Sequence, residues 1–285
     1  MITDNATNII YFSEILQTDS LYRIDLKHIT KILNDFQLEY RFLKHSKDIW
    51  ARDYMPIQVS IDKFIEYRYD PDYLQGTEIE RREVKTYPDI VCDALQLKTI
   101  KTDIILDGGN VIKSSNCVIL TDKVVIENKR NYTQSELIEK LKQLFEVENV
   151  ILIPWDKEEE FGHADGMVRF IDDENVLLNG YFQNYKNEFK QKLYGSFEQN
   201  NLKWNELKFN VKNENYNNWI YINYLQTKDL ILIPKLGIDE DEQAFEQFKE
   251  YFPDYAKRDR IRQVEIPEII KGGGALNCIS WTVLK

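Results

Sequence analysis

The middle of the chain carries short strand-like runs of apolar and β-branched residues. Turn formers, including Gly108-Gly109 and Ser114-Ser115-Asn116, separate these runs from one another. Such brief runs, bounded by residues that favour turns, are typical of strands in an α/β protein. The runs lie at 104–106, 110–113 and 117–120.

A helix-like pattern follows directly. Thr133 and Glu136 have the spacing of a capping box, and apolar residues then fall on one helical face. The face consists of Leu137, Ile138, Leu141, Leu144 and Phe145. The continuously apolar run at 150–154 predicts a strand buried on both faces. This stretch therefore predicts a unit of strand, strand, helix and strand.

Similar alternation recurs in the second half of the chain, which favours an internally repetitive α/β fold. The tetrapeptide Ile-Leu-Ile-Pro occurs at both 151–154 and 231–234. No linker rich in Pro, Gly or Ser divides the sequence, so we expect one domain over residues 1–285. We predict helices at 185–197 and 240–251, and strands at 167–171, 176–178, 219–224, 230–234, 264–266 and 279–283.

Composition and charge exclude several classes of protein. With 43% hydrophobic and 13% aromatic residues the chain can bury a core, and a net charge of −11 disfavours nucleic acid and anionic membrane surfaces as partners. The sequence has neither a leader-like N-terminal pattern nor an apolar run long enough to cross a bilayer. We therefore expect a cytoplasmic protein of a reducing compartment.

One of the three histidines stands out. His163 and Asp165 lie two residues apart in Phe-Gly-His-Ala-Asp-Gly, and in an extended segment they would project to the same side. The alternative is an ordinary surface turn, in which Asp and Gly are common. His28 and His45 lie among charged residues and are expected to be solvated.

One of the three cysteines is a candidate nucleophile. Cys278 follows the glycine triplet 272–274, and a tightly turned loop beside a thiol lets a substrate approach the sulfur closely. The alternative is a small buried apolar residue on the last strand. Cys92 and Cys117 lie in apolar surroundings and are assigned to packing, and the three spacings form no zinc motif.

Two further loops carry carboxylates at the edges of apolar segments. Asp53 lies in Trp-Ala-Arg-Asp-Tyr-Met-Pro, where a salt bridge with Arg52 or a turn before Pro56 is the simpler explanation. Asp107 precedes Gly108-Gly109-Asn110, where Asp-Gly is also a strong hairpin signal. Taken together, however, a thiol, an imidazole and several carboxylates suit a cysteine hydrolase of guanidines. The planar guanidinium pairs bidentately with carboxylates, and its central carbon is open to a thiolate.

The four loops resemble the motifs of the guanidine-modifying superfamily, most closely its agmatine deiminase and bacterial peptidylarginine deiminase branch. The resemblance covers about residues 50–280. The matching segments, in chain order, are WARDYMP, LDGGNVI, GHADGMVRF and GGGALNCIS. The segment Tyr-Ile-Asn-Tyr at 221–224 also resembles the penultimate blade of that family.

This resemblance implies a five-bladed α/β propeller, the pentein fold, with pseudo-fivefold repeats and a site on its axis. It implies Cys278 as the nucleophile and His163 as the general acid and base. Asp53 and Asp165 would grip the guanidinium, and Asp107 and Asn110 would also bind substrate. The implied activity is a deiminase that releases ammonia and a ureido product, with a role in polyamine metabolism. No cofactor or metal is implied, and a homodimer is one possible assembly.

Three alternatives stay open on the sequence. The same residues suit transfer of the amidino group to an amine, or hydrolysis of a methylated arginine. A catalytically silent binding module has no evident use for this set of polar residues in register.

The three candidate substrates, agmatine, free arginine and peptidyl-arginine, share the guanidinium. The acids at 158–160 could meet the second charge of agmatine, or could simply form a solvated face.

Asn277 departs from the related deiminases, which usually have His before the cysteine. Because an amide does not titrate, we predict that free Cys278 is largely protonated at neutral pH and that a bound guanidinium activates it. The alternative is that Asn277 points away from the site, as alternate residues of a strand do.

Overall fold

The computed structural model describes residues 1–75, 83–157, 161–180, 186–210 and 218–285. These residues form five three-stranded sheets, with the orders β15-β1-β2, β3-β4-β5, β6-β7-β8, β9-β10-β11 and β12-β13-β14. The strands are β1 (Ile9–Ser13), β2 (Glu39–Leu43), β3 (Ile57–Ser60), β4 (Lys63–Arg68), β5 (Ile100–Ile105), β6 (Ile112–Lys113), β7 (Cys117–Thr121), β8 (Asn149–Ile153), β9 (Val168–Phe170), β10 (Asn175–Leu178), β11 (Lys203–Glu206), β12 (Leu225–Thr227), β13 (Leu230–Lys235), β14 (Ile261–Glu265) and β15 (Ser280–Val283).

Each sheet repeats one plan. Its first strand pairs antiparallel with the middle strand, and its third strand pairs parallel with the middle strand. A parallel pair needs a crossover, and helices supply it between the middle and third strands of every sheet. The helices are α1 (Ile15–Thr18), α2 (Arg23–Asp35), α3 (Ala51–Tyr54), α4 (Pro88–Ala94), α5 (Lys123–Asn128), α6 (Gln134–Phe145), α7 (Asn187–Glu198), α8 (Glu240–Tyr251), α9 (Pro253–Lys257) and α10 (Pro267–Ile270). The predicted strand, strand, helix, strand unit is confirmed.

One sheet joins the two ends of the described chain. The middle strand β1 pairs in parallel with β2, whereas its antiparallel partner is β15. The register aligns Ile10 with Thr282 on one side and with Tyr40 on the other. The expectation of a single domain over residues 1–285 agrees with this pairing and stays a prediction.

The apolar strands are explained by their position between neighbouring sheets. In β7, Val118 and Leu120 pack into one hydrophobic cluster, whereas Cys117 and Ile119 pack into the next. Because side chains of a strand alternate between two faces, a sheet that lies between two cores needs apolar residues at every position. The sheets therefore stack side by side through shared cores.

The run at 150–154 shows the limit of this rule. Ile151 and Ile153 are buried in one cluster, whereas Val150 and Leu152 are only partly buried against another. The prediction of burial on both faces is therefore wrong for one face of β8, which is only partly buried because β8 is the outer strand of its sheet. The second Ile-Leu-Ile-Pro lies in β13, a middle strand, so the two tetrapeptides occupy different places in the repeat.

Local sequence signals located the helices best. Helix α8 has the predicted bounds, and α6 begins with the predicted capping box between Thr133 and Glu136. Helix α7 begins at Asn187, and residue 185 of that prediction lies outside the described residues. The predicted strand at 219–224 is wrong, because residues 218–222 form a 3₁₀ helix. There the Asn223 carbonyl accepts from the Asn277 N–H instead of joining a ladder.

Candidate functional site

The loops that precede the first strands of the five sheets meet in one place. Each loop carries one or two polar side chains. Helix α3 contacts the 3₁₀ turn Gly108–Asn110, and this turn contacts the turn Ala164–Gly166. The latter turn contacts the 3₁₀ helix Asn218–Ile222. Helix α3 also contacts β15, and hydrogen bonds from the Asn277 and Cys278 N–H groups to Asn223 Oδ1 close the series. The side chains brought together are Asp53, Asp107, His163, Asp165, Asn223 and Cys278, and each is 8% exposed or less.

The imidazole of His163 lies between two carboxylates. Its Nε2 lies 3.0 Å from Asp107 Oδ2, and its Nδ1 lies 3.7 Å from Asp53 Oδ1. Burial alone would lower the pKa of His163, but the charges of Asp53, Asp107 and Asp165 outweigh it and raise that pKa to about 10. The ring is therefore protonated at neutral pH, and Nε2–H donates to Asp107.

The pKa of Asp53 is also raised, which favours the neutral form of its carboxyl group. Burial raises its pKa to about 8, with the nearby Asp165 and Asp107 adding to the shift and the charge of His163 opposing it. Asp53 Oδ1 also accepts a hydrogen bond of 3.1 Å from the Gly109 N–H. In the unliganded site at neutral pH, Asp53 therefore retains a proton that a bound cation would expel.

The thiol of Cys278 lies between an amide and a carboxylate. Asn223 Nδ2 donates to the sulfur over 3.1 Å, and the thiol lies 3.4 Å from Asp165 Oδ2, to which it can donate. Burial, followed by the charges of Asp165 and Asp53, raises the pKa of Cys278 well above its ordinary value. The unliganded site therefore favours the neutral thiol, which is the direction that the sequence-based prediction requires.

Backbone hydrogen bonds position the nucleophile loop. Asn223 Oδ1 accepts from the N–H groups of Asn277 and Cys278, over 3.1 and 3.2 Å, and the Cys278 carbonyl accepts from the Arg52 N–H over 3.0 Å. The Arg52 guanidinium pairs with Asp4 rather than with its neighbour Asp53. The salt-bridge explanation of Asp53 is therefore wrong, and its carboxyl faces His163 instead.

Glycines allow these groups to approach one another. A Cβ at Gly109 would lie 2.6 Å from both Asp53 Oδ1 and His163 Nδ1, so no side chain fits there. The hairpin interpretation of this Asp-Gly is also wrong, since the strands on either side, β5 and β6, belong to different sheets. In the triplet before Cys278, a Cβ at Gly272 would lie 2.7 Å from the Trp50 ring.

The His-x-Asp segment is not extended throughout. His163 has extended backbone angles, whereas Asp165 lies in the 3₁₀ turn Ala164–Gly166. Both side chains nevertheless face the site, since His163 Nε2 lies 3.0 Å from Asp107 Oδ2 and Asp165 Oδ2 lies 3.4 Å from Cys278 Sγ. The surface-turn alternative is therefore wrong, since both residues are buried.

Asn277 does not point away from the site. Its Nδ2 donates to Asp165 Oδ2 over 2.6 Å, and its side chain is buried. Oδ2 of Asp165 thus lies within hydrogen-bonding distance of both the Asn277 amide and the Cys278 thiol. The alternative that gave Asn277 no bearing on the site is contradicted.

Aromatic rings cover the imidazole side of the site. The Tyr73 hydroxyl donates to Asp107 Oδ2 over 3.3 Å, and its ring packs edge-on against Phe161 and His163. Lys123 Nζ donates to the Phe161 carbonyl over 2.6 Å, pairs with Asp72 at 2.9 Å, and lies over the Tyr73 ring. This lysine therefore ties the two segments of the aromatic wall together.

The remaining predicted residues divide into two groups. Asn110 is buried, and its Oδ1 accepts from the Thr121 N–H over 2.8 Å, which joins the Asp107 loop to β7. Its role as a substrate ligand stays a prediction. The acids at 158–160 lie outside the described residues. Cys92 and Cys117 pack in hydrophobic clusters, as predicted, and burial raises the pKa of each to about 12.

The other two histidines lie apart from the site. His45 is exposed, as predicted, whereas His28 is only partly exposed and its Nδ1 lies 3.0 Å from the Glu265 carbonyl oxygen. Asn223 and Tyr73 are the site residues that sequence reasoning did not single out. A signal existed for Asn223, which lies in the Tyr-Ile-Asn-Tyr segment of the resemblance. Nothing in the sequence around Tyr73 marks it.

Neither a metal site nor a membrane span is found in the part of the chain that the structure describes. No group of three or more His, Cys, Asp and Glu side chains there has the arrangement of a metal site. No helix there is both long enough and apolar enough to span a bilayer.

A known protein family matches nearly the whole sequence. The model of the Porphyromonas-type peptidyl-arginine deiminase family matches residues 15–283. The chain belongs to this family. Curated relatives include a Lactococcus lactis protein named "Putative agmatine deiminase", which is 24% identical over 225 residues. That match covers 67% of this chain and 60% of the relative, so the chain spans about 60% of the length of the curated relatives it matches.

Solved structures of two agmatine deiminases and of a DDAH share the fold of this chain. A Campylobacter (C. jejuni) agmatine deiminase superposes with a TM-score of 0.76 at 14% identity, covering 100% of this chain and 95% of that one. An Enterococcus faecalis agmatine deiminase gives a TM-score of 0.73 at 17% identity, covering 98% and 94%. A DDAH from Pseudomonas aeruginosa gives 0.56 at 12% identity, covering 97% and 99%. The predicted pentein fold is confirmed.

Proposed function

We propose that this chain is a guanidino-group deiminase, a hydrolase that converts an arginine-like substrate to its ureido product and ammonia. The candidate substrates are agmatine and arginine derivatives. One observation carries the proposal: a buried thiol, an imidazole and three carboxylates converge from loops of four sheets, with Cys278 Sγ 3.4 Å from Asp165 and His163 3.0 Å from Asp107. Membership in the deiminase family supports the same chemistry.

Substrate binding comes first in this mechanism. A guanidinium enters with its nitrogens against Asp53 and Asp165, and its charge expels the proton of Asp53, whose pKa in the empty site is about 8. The same positive charge lowers the pKa of Cys278, which burial and carboxylates keep high in the empty site. The thiol proton passes to solvent, and the thiolate is generated only when substrate is present.

The first chemical step forms a covalent intermediate. The Cys278 sulfur forms a bond to the guanidinium carbon, and the C=N electron pair moves onto nitrogen to give a neutral tetrahedral adduct. Protonated His163 gives its proton to one amino group, which leaves as ammonia with the electron pair of the broken C–N bond. The product is a cationic thiouronium on Cys278 and a neutral imidazole.

The second step hydrolyses this intermediate. Neutral His163 takes a proton from water as the water oxygen bonds to the thiouronium carbon. The C–S bond then breaks, its electron pair returns to sulfur, and the hydroxyl proton passes to that sulfur as the ureido carbonyl forms. This restores the neutral Cys278 thiol and protonated His163. Asp107, which accepts from His163 Nε2–H, keeps the ring oriented through both steps.

The experiment that tests this proposal is product analysis with purified protein. Agmatine, arginine and a peptidyl-arginine are each incubated with the full chain, and ammonia and the ureido product are measured. Cys278→Ala is expected to abolish turnover, and His163→Ala to reduce it by about 10²- to 10⁴-fold. Cys92→Ala, which changes a buried cysteine outside the site, serves as the matched control.

Three outcomes would contradict the proposal. Substantial ammonia release by Cys278→Ala would remove the nucleophile from the mechanism. Release of an amine from methylated arginine, or transfer of the amidino group to an amine acceptor, would show another reaction on the same residues. A cytoplasmic location, a role in polyamine metabolism and a homodimeric assembly are further proposals, which fractionation, metabolite analysis and light scattering can check.

A further inference from the structure

Asn277 carries a hydrogen-bond acceptor that the described protein leaves unused. The residue is 3% exposed, and its Oδ1 is buried without a hydrogen-bond partner. Buried polar atoms of this kind are rare in folded proteins, because their desolvation is uncompensated. The Nδ2 of the same amide is well used, since it donates to Asp165 Oδ2 over 2.6 Å. The unused acceptor therefore calls for an explanation.

The neighbours of this amide place the Asn277 side chain next to the nucleophile's partner Asp165. Oδ1 and Nδ2 share one carbon, and the Asp165 oxygen that binds Nδ2 lies 3.4 Å from Cys278 Sγ. A second unused acceptor lies on the imidazole side of the site. Asp107 Oδ1 is buried without a partner, whereas Oδ2 of that carboxylate accepts from His163 and Tyr73.

The chemistry of the proposed substrate fits these two acceptors. An alkylguanidinium has five N–H donors and no acceptor, and four of these donors are on its two terminal nitrogens. If Asp53 and Asp165 each accept from one terminal nitrogen, one N–H remains on each of these nitrogens. A methyl group on a terminal nitrogen removes a donor and would leave a buried acceptor unpaired. Sites built to hydrogen-bond a substrate N–H reject analogues that lack it far more strongly than apolar pockets reject a change in size.

We infer that Asn277 is a substrate-binding residue which, together with Asp107, selects guanidinium groups whose terminal nitrogens are unsubstituted. The inference rests on the guanidine chemistry of the proposed function and narrows its substrate class. It excludes dimethylated guanidines as good ligands of this chain. Because the Asn277 amide is neutral, it adds an acceptor without adding a further negative charge beside Asp165.

A bound water is the competing explanation. Arg52 Nη2 is also buried without a partner, and Arg52 Nε lies 3.4 Å from the Asn277 backbone carbonyl. A water that joins this guanidinium to Asn277 Oδ1 would satisfy both groups. In that case the amide would contribute nothing to the choice between methylated and unmethylated ligands.

A binding experiment decides between these explanations. Butylguanidine and its two dimethylated forms, with both methyl groups on one terminal nitrogen or one on each, avoid any dependence on the far end of the substrate. Their dissociation constants are measured by calorimetry with Cys278→Ala, and again with Cys278→Ala combined with Asn277→Ala. Asn179→Ala in the same background is the matched control, because Asn179 is also a buried amide with an unpartnered Oδ1.

The expected result is a change in selectivity. Cys278→Ala should bind butylguanidine about 10- to 100-fold more tightly than either dimethylated form, by the cost of an unpaired buried acceptor. Adding Asn277→Ala should narrow this ratio by about fivefold or more, whereas Asn179→Ala should leave it unchanged. A ratio of affinities is insensitive to the fraction of folded protein, so general destabilisation would not imitate this result.

Two results would overturn the inference. If the affinity ratio is the same with and without Asn277→Ala, the amide does not select the ligand and the water explanation holds. If Cys278→Ala binds the dimethylated forms as tightly as butylguanidine, the site does not require unsubstituted nitrogens. Failure of the proposed deimination would appear separately, as absence of ammonia from the wild-type protein.

Discussion

The residues of the site carry protons that a cationic ligand should displace. Asp53 has a pKa raised to about 8 by burial and by neighbouring carboxylates, so below that pH it is mostly neutral in the empty site. A guanidinium prefers the ionised carboxylate. The affinity for the ligand should therefore fall as the pH falls, because expelling the proton becomes more costly.

We predict that Cys278→Ala binds butylguanidine about tenfold more weakly for each pH unit below 8, and with constant affinity above that pH. Calorimetry between pH 6 and pH 9 measures this dependence. Adding Asp53→Asn should give weak binding with a flat profile. A flat profile with Asp53 present would show that this carboxyl is already ionised without ligand.

The reactivity of the Cys278 thiol depends on the charges around it. Burial and the charges of Asp165 and Asp53 raise its pKa, so alkylation by iodoacetamide should be slow at neutral pH. A small guanidinium that leaves the sulfur accessible should accelerate it. Asp165→Asn removes one of the charges that raise this pKa, so it should shift the alkylation profile to lower pH.

Peptide mapping after alkylation distinguishes Cys278 from Cys92 and Cys117, whose buried thiols have pKa values of about 12 and provide internal controls. An apparent pKa of Cys278 below neutrality in the unliganded protein would contradict the substrate-assisted scheme. A shift of the Cys278 alkylation profile to higher pH in Asp165→Asn would also contradict this scheme, because it would show that the charge of Asp165 does not raise the thiol pKa.

At the scale of elements, the short turns before the first strands determine the geometry of the site. The 3₁₀ turn Gly108–Asn110 lies so close to α3 and to the His163 loop that a Cβ at Gly109 would lie 2.6 Å from Asp53 and His163. We predict that Gly109→Ala reduces kcat by about 100-fold, since displacing a catalytic group by about 1 Å can cost that much.

Gly195→Ala is the matched control for this substitution. Gly195 lies within α7, and a Cβ there would meet nothing within 4 Å. This change should leave kcat unaltered and stabilise the protein by about 0.5–1 kcal/mol, because glycine is unfavourable inside a helix. Turnover and thermal unfolding of both variants provide the measurements. Wild-type activity in Gly109→Ala would show that the two loops can separate without loss of function.

At the scale of the whole molecule, the side-chain carboxylate of Asp4, near the N-terminus, connects residues from several sheets. Asp4 Oδ2 pairs with Arg169 at 2.9 Å, and its Oδ1 pairs with Lys113 at 3.3 Å and with Arg52 at 3.8 Å. Burial opposes ionisation of Asp4, but the three cations outweigh it and lower its pKa below the ordinary 3.8. The Arg52 N–H also donates to the Cys278 carbonyl, so this cluster of charges is linked to the loop that carries the nucleophile.

We predict that Asp4→Asn destabilises the protein by about 3–5 kcal/mol at pH 7, because it leaves three buried cations without their carboxylate. A group whose pKa is lower in the folded state stabilises it above the unfolded pKa. The difference between wild type and variant should therefore shrink as the pH falls below 3.8. Urea unfolding at several pH values measures it.

The control for this prediction is Asp254→Asn, which removes one partner of the exposed Lys257–Asp254 pair. Exposed pairs contribute little to stability, so this variant should unfold like the wild type. Equal stability of Asp4→Asn and wild type at pH 7 would show that the cations are satisfied without Asp4.

Local sequence patterns were sufficient to predict the repeating unit, the helices with strong local signals, and the residue types of the site. Helix α8 and the capping box of α6 depend on interactions within a few residues, so a short stretch of sequence is enough to predict them. The four loop motifs contain the thiol, the imidazole and the carboxylates within short segments, so their shared chemistry is evident from the amino-acid sequence alone.

Contacts between distant loops determine which of these residues meet and how their protons are distributed. Residues 219–222, with aromatic and β-branched side chains typical of a strand, form part of a 3₁₀ helix, because Asn223 bonds to the Cys278 loop. The pKa of His163 depends on carboxylates from other sheets, more than 50 positions away. Such contacts leave no periodic trace in a sequence, because the close approach of separate loops arises from the packing of whole sheets.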